Sequence, residues 1–250
     1  MKSIKQQKRT NLFYNIGRIL VGITFILSVL GMFLVKDDSQ RSRFAFNAIQ
    51  SLLFLVCLMV PRFLEKKAKV RFSNVLLIIY LVVCVSHFVL GEICQFYVKV
   101  KIWDSILHTF NGATLAILSF SIINVLNENA KGVQLSPAFV AIFAVCFAVT
   151  IGVLWEVVEY FADQFTGSNM QRYMNSVTLE PFVGRAALKD TMKDLMLDTI
   201  GATIFAIIGY FTLKKEKNAF EKFAVLKEKD IQNISTTQTN EEVKDESVED

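Results

Sequence analysis

Apolar residues run along this chain in six long blocks, separated by clusters of charge and turn residues. The blocks lie at approximately 12–35, 44–61, 72–96, 104–126, 137–162 and 191–213. Each is near the roughly 20 residues that an α-helix needs to cross a hydrocarbon core. The separators read "KDDSQRSR", "PRFLEKKAKVR", "VKVKIWD", "NENAKGVQLSP" and a long polar segment over 163–190. The short alternating runs of a half-buried sheet are missing. The pattern predicts an all-α polytopic membrane protein, with one domain of six transmembrane helices over 1–213.

Polar positions inside the blocks carry the next inference. In "WEVVEYFAD", residues 155–163, Glu156, Glu159 and Asp163 fall within about 60° of one another on a helical wheel. Asp104 and His108 are four residues apart in the fourth block, and Asp190, Asp194 and Asp198 repeat at the same spacing in the sixth. His87 and Glu92 sit toward the end of the third. Alternating span direction puts all of these at one end of the bundle, whichever way the protein faces. Polar stripes in a membrane turn toward the bundle interior or a water-filled cavity, so the stripes are expected to share a pocket. Gly201 continues the sixth-span stripe and would let a neighbouring helix approach closely.

Lys and Arg flanking the spans set the orientation. With the N-terminus inside, sixteen lie on the cytoplasmic side and nine on the other. The expectation is a cell (cytoplasmic) membrane protein with both termini cytoplasmic and the polar pocket near the outer leaflet. The basic N-terminus leads into an apolar run too long for a secretory signal, with no small-x-small cleavage site after it, and reads as an uncleaved first span. Residues 214–230 read as an interfacial amphipathic helix with Phe220, Phe223 and Leu226 toward lipid. Residues 231–250 are acidic, polar and too poor in apolar groups to fold.

Composition agrees: 53% of residues are hydrophobic, 22 are Phe and only 3 are Pro. The net charge of +4 is modest and no nucleic-acid module is recognisable, so nucleic acid is excluded as a partner. Membrane lipid is the expected one, and protein partners are left open. Cys57, Cys84, Cys94 and Cys146 lie in apolar blocks with no C-x-x-C pair and read as packing residues.

Carboxylates crowded into one pocket repel, and three things relieve them. Some can be protonated, Arg172, Arg185, Lys189 or Lys193 can fold back as partners, or a divalent cation can bind. A His-plus-carboxylate set suits Zn²⁺ or Mn²⁺, and an all-oxygen set Mg²⁺ or Ca²⁺. The candidate ligands are Asp104, His108, Glu156, Glu159, Asp194 and Asp198. In an enzyme, His108 is the candidate general base or ligand, and Glu156 and Glu159 are ligands or proton shuttles. The long segment over 163–190 could cover the pocket.

Three stretches, "WDSILHTFNGA", "SPAFVAIFAVCFAVTIGVLWEVVEYFADQFTGSNMQ" and "LKDTMKDLMLDTIGA", resemble the YjdF-like family of bacterial inner-membrane proteins. More distantly they are similar to the VanZ-like proteins, which share an Asp-x-x-x-His, a paired-Glu helix and a final Asp-rich helix ending in Gly. The resemblance covers roughly 85–210 and implies a bacterial cytoplasmic membrane. It places the family pattern on Asp104, His108, Gly112, Trp155, Glu156, Glu159, Asp163, Asp190, Asp194, Asp198 and Gly201. Many relatives carry Asn where Asp198 stands. Taken together, the sequence points to a protein that acts on an envelope lipid or lipid-linked molecule. A non-catalytic assembly factor and a proton- or cation-coupled transporter are the alternatives.

Overall fold

Start signals place the helices. Asp37 accepts the Gln40 N–H at 2.9 Å, so α2 (Asp38–Ala68) begins well before the apolar block that it carries. An Asp at this position satisfies one of the four amide groups that a helix start leaves without partners. Ser73 does the same for α3 (Asn74–Cys84), accepting from Leu76 N–H. Ser136 accepts from Phe139 N–H ahead of α6 (Pro137–Thr166), whose Pro opens the helix and whose end is capped by Gly167 at φ 67°. The other helices are α1 (Lys2–Leu34), α4 (Phe96–Lys99), α5 (Trp103–Asn129) and α7 (Lys189–Lys215). This computed structural model describes residues 2–68, 70–129, 135–175, 178–216 and 225–227.

Six helical segments are long and apolar enough to cross a membrane. Large apolar side chains such as Ile26, Leu27, Ile142 and Ile207 lie on the outside, whereas Ala144, Ala148, Ala202 and Ala206 are buried. Small residues within and large apolar ones outward is the arrangement of helices packed in lipid. The chain forms two units, 1–99 with 222–250, and 100–221.

In the first unit, α1 and α2 meet through a polar seam, where the Ser51 hydroxyl donates to Thr24 Oγ1 at 3.0 Å. Phe54 stacks on Phe88 at 5.5 Å, and Val21, Leu58 and Cys84 complete that core. Pro61 lies inside α2 and cannot donate to the Cys57 carbonyl one turn back. The Tyr80 hydroxyl on α3 donates to that carbonyl instead, at 2.7 Å.

Two expectations are corrected here. The third span is not a uniform α-helix: Val85–Ile93 widens into a π-helix. Tyr97 Oη lies 2.6 Å from His87 Nδ1 and its ring packs on Gly91, so a wider turn accommodates the returning chain. An amphipathic helix also does not run through 214–230. Val225–Lys227 forms a strand, β2, antiparallel to β1 (Val70–Phe72), and backbone pairing to an open edge replaces the helical bonds there. The rest of that segment after Glu216, and 231–250, lie outside the described residues.

In the second unit α5, α6 and α7 pack against one another. Ala116, Phe120, Ile123, Val140, Ala144, Ala148, Ala202 and Ala206 form its core. At one end of this core α5 and α7 touch main chain to main chain. Gly112 faces the Asp198 carbonyl and Gly201 the Thr109 carbonyl, so a Cβ at either position meets backbone atoms.

Candidate functional site

That close crossing brings together the acidic stripes of α5 and α7. His108, one turn inside α5, lies with Nδ1 3.2 Å from Asp198 Oδ2. Its other nitrogen, Nε2, faces Asp104 Oδ1 at 3.7 Å and Asp194 Oδ2 at 3.9 Å. All four side chains are buried. Gly152 on α6 leaves room for the Asp198 carboxylate, which would stand 2.6 Å from a Cβ there.

Two cations cover the carboxylates. Lys193 Nζ lies 3.2 Å from Asp190 Oδ1, 3.3 Å from Asp194 Oδ1 and 3.6 Å from Asp104 Oδ2. Arg172 reaches Asp104 Oδ2 at 3.5 Å and Asp190 Oδ2 at 3.6 Å. Of the four basic residues that the sequence offered as partners, Arg185 and Lys189 form no ion pair among the described residues. Four aspartates, Asp104, Asp190, Asp194 and Asp198, therefore face two permanent cations and one imidazole. The long, poorly directed contacts leave Asp104 Oδ2 and Asp194 Oδ1 without a hydrogen bond.

Arg172 is delivered by a loop that Asp163 folds. The Asp163 carboxylate accepts from Ser168 Oγ at 2.7 Å, Met170 N–H at 2.7 Å and Gln171 N–H at 3.0 Å. Arg172 itself has φ 47°, an unfavourable conformation for a non-glycine residue. Gln171 Nε2 then donates to Glu156 Oε2 at 3.1 Å and to Thr191 Oγ1 at 3.2 Å, joining α6 to α7. Glu156 Oε1 is buried with no hydrogen-bond partner.

The predicted residues thus take different places. Asp104, His108 and Asp194 each offer a ligand atom, all within 4.8 Å of one another. Asp198 holds the far side of the imidazole. Glu156 lies beside them under Gln171. Glu159 accepts the Trp155 indole N–H at 2.7 Å, and Asp163 is the loop organiser. His87 and Glu92 belong to the first unit, where His87 pairs with Tyr97. Gln171 and Thr191 were not singled out from sequence; the only signal was their position beside Asp-rich segments.

Asp104, His108 and Asp194 are the residues that could hold a cation. Separations of 3.7 and 3.9 Å are too long for hydrogen bonds. A tetrahedral ion about 2 Å from each ligand atom holds its ligands roughly 3.3 Å apart, so both carboxylates would draw in toward His108 by about half an ångström around it. Ligating imidazoles are usually held by a carboxylate on the second nitrogen, as Asp198 holds His108. Proton placement on the ring is inferred from these partners: Nδ1–H donating to Asp198 leaves the Nε2 lone pair for the ion.

The model of a family described as predicted membrane protein (DUF2238) matches residues 17–215. The chain belongs to this family. An "Uncharacterized protein" of Thermotoga maritima is 28% identical over 124 residues, 50% of this chain. The chain spans 56% of that relative's length. No solved structure matches.

Proposed function

We propose that this DUF2238 member holds a divalent cation between Asp104, His108 and Asp194, near the outer leaflet of the cytoplasmic membrane, and acts there on an envelope lipid or lipid-linked molecule. One observation carries the reading: three buried ligand atoms from two helices lie within 4.8 Å of one another while the surrounding carboxylates outnumber their basic partners. Both termini are cytoplasmic in this reading, from the Lys/Arg bias. The YjdF-like resemblance, and the more distant VanZ-like one, agree with a role in the bacterial envelope. His108 and Glu156 are then the groups that bind or shuttle protons beside the ion. Mn²⁺ and Zn²⁺ suit a mixed nitrogen and carboxylate set.

A second reading has its own support. Lys193 and Arg172 already bridge α5, α7 and the loop, so the cluster could serve as an ionic lock in a non-catalytic assembly factor. Transport is supported less, because the unit's core beyond His108 is apolar, and its buried Ser119 and Ser121 hydroxyls bond their own helix.

Elemental analysis of the full chain purified in detergent, beside Mn²⁺ titration followed by the paramagnetic signal of the free ion, separates the readings. Near-stoichiometric metal in wild type that is lost in Asp194→Asn is the expected result. A wild type that binds no ion leaves the ionic lock.

A further inference from the structure

The face of the α5–α7 seam adjoining the polar centre is a groove. Ile102 just before α5, Ile106 and Phe110 of α5, and Leu197, Ile204 and Phe205 of α7 line it. All lie on candidate membrane spans or within a residue of one, so the groove opens to the acyl-chain region. Its lining is mostly apolar, and the Thr109 hydroxyl donates to the Ser105 carbonyl.

Lys193 connects groove and polar centre. On the α7 wheel Leu197 and Ile204 fall within about 40° of Lys193. The Lys193 stem therefore rises from the groove's face, one turn beyond Leu197, at the end where α5 begins. Its ammonium reaches over the seam to Asp104, Asp190 and Asp194. Arg172 stands on the same two carboxylates, Asp104 and Asp190, and both side chains keep about a third of their surface exposed (29% and 37%).

We propose that the groove and its two flanking cations bind a membrane lipid that carries a phosphate, with one acyl chain along Ile106, Phe110, Leu197 and Ile204 and the phosphate at Lys193 and Arg172. This rests on the cation centre for its regulation. Without a metal, Lys193 serves as counter-ion to Asp104 and Asp194. An ion held by those same carboxylates takes over that neutralisation and leaves the ammonium with Asp190 alone, so that it can also meet the phosphate. Metal and lipid therefore bind with positive coupling, and the coupling is reciprocal. The chemistry matches at both ends: the apolar groove takes hydrocarbon, and the paired cations take a tetrahedral anion. A zwitterionic choline lipid gains less, because its own ammonium competes with Lys193 and Arg172 for the phosphate.

The test uses the full chain in phosphatidylcholine nanodiscs, with dioleoyl phosphatidic acid as probe and retained lipid read by native mass spectrometry. Mn²⁺ binding is read separately from the free-ion signal. Wild type should retain phosphatidic acid over phosphatidylcholine by about fivefold or more, the worth of one Lys near a membrane surface, and more strongly with Mn²⁺. Lys193→Met should abolish the preference, Lys193→Arg should restore it, and Ile106→Trp, which fills the groove, should abolish it with Mn²⁺ binding intact. Mn²⁺ binding without lipid preference overturns the proposal and spares the cation centre. No Mn²⁺ binding, with a preference that both Lys193→Met and Ile106→Trp remove, sinks the cation centre and upholds the lipid site. Equal displacement by inorganic phosphate alone, or a preference untouched by Ile106→Trp, overturns the groove assignment.

Discussion

Gly112 of α5 lies against the main-chain carbonyl of Asp198 on α7, the residue whose side chain holds His108. One contact sets the helix spacing and the imidazole together. Gly112→Ala places a methyl group on that carbonyl, so the helices must part. The expected loss is about 1–3 kcal/mol or more, with loss of any metal site, read by thermal unfolding in detergent. Gly22→Ala is the control. No atom lies within 4 Å of a Cβ there, and replacing a helical Gly with Ala should stabilise by up to about 1 kcal/mol. Equal behaviour of the two variants refutes the close crossing.

Metal dependence gives a second outcome. A ligand bound only by the folded protein raises stability by mass action, about 2.7 kcal/mol at a hundredfold excess over its dissociation constant. Added Mn²⁺ should raise the melting temperature of wild type, chelator should remove the gain, and His108→Ala should show neither. Acidification should weaken the effect, because protons compete for the imidazole and carboxylates. A chelator-insensitive melting curve in the presence of Mn²⁺ rules out the centre.

Tyr80 and Pro61 form a testable pair. The Tyr80 hydroxyl satisfies the Cys57 carbonyl that Pro61 leaves without its helical donor. Tyr80→Phe should cost about 1–3 kcal/mol, the penalty for an unsatisfied buried acceptor. In a Pro61→Ala background the helix supplies its own N–H, and Tyr80→Phe should cost distinctly less. A double-mutant cycle with no coupling rejects the pairing.

Asp163 should act on the loop and not on the cation. Asp163→Ala removes an acceptor for three donors. Amide exchange at residues 168–172 should quicken by roughly tenfold or more, since each hydrogen bond to a charged group contributes about 1.5–3 kcal/mol. Glu159→Gln, whose contact is to Trp155 on the same helix, should leave those amides protected.

Orientation is read with reporter fusions. Fusions after Lys131 and Lys215 should report the cytoplasm and one after Ser168 the outside. An outside signal after Lys215 reverses the assignment.

The spans were legible because each is a long apolar run, and lipid leaves little choice but helix. Helix ends were less so: α2 begins at Asp38 through an Asp37–Gln40 contact buried in a run of charge that reads as loop. The acidic stripes were legible from four-residue spacing. The division of labour among them was not. Asp198 and Asp194 look equivalent along the chain, and only the Gly112 and Gly201 crossing decides that one backs the imidazole and the other faces its free nitrogen. Arg172 could be named as a partner, yet its selection over Arg185 depends on Asp163 curling the loop, a tertiary contact that no periodicity encodes. The π-helix was hidden for a similar reason, since Tyr97 imposes it from outside the segment.

The place of Lys193 on the last span has a consequence for biosynthesis. Asp104, His108, Glu156 and Glu159 are all translated before Lys193, and Arg172 of the loop after α6 is the first cation to reach Asp104. Until α7 arrives, the nascent hairpin carries acids that lipid cannot solvate, with Arg172 alone against Asp104. Chains that stop short of residue 193 therefore expose a mark of incompleteness within the bilayer, one that membrane chaperones and proteases can recognise. Insertion of α7 lightens that mark by bringing the Lys193 ammonium against Asp104.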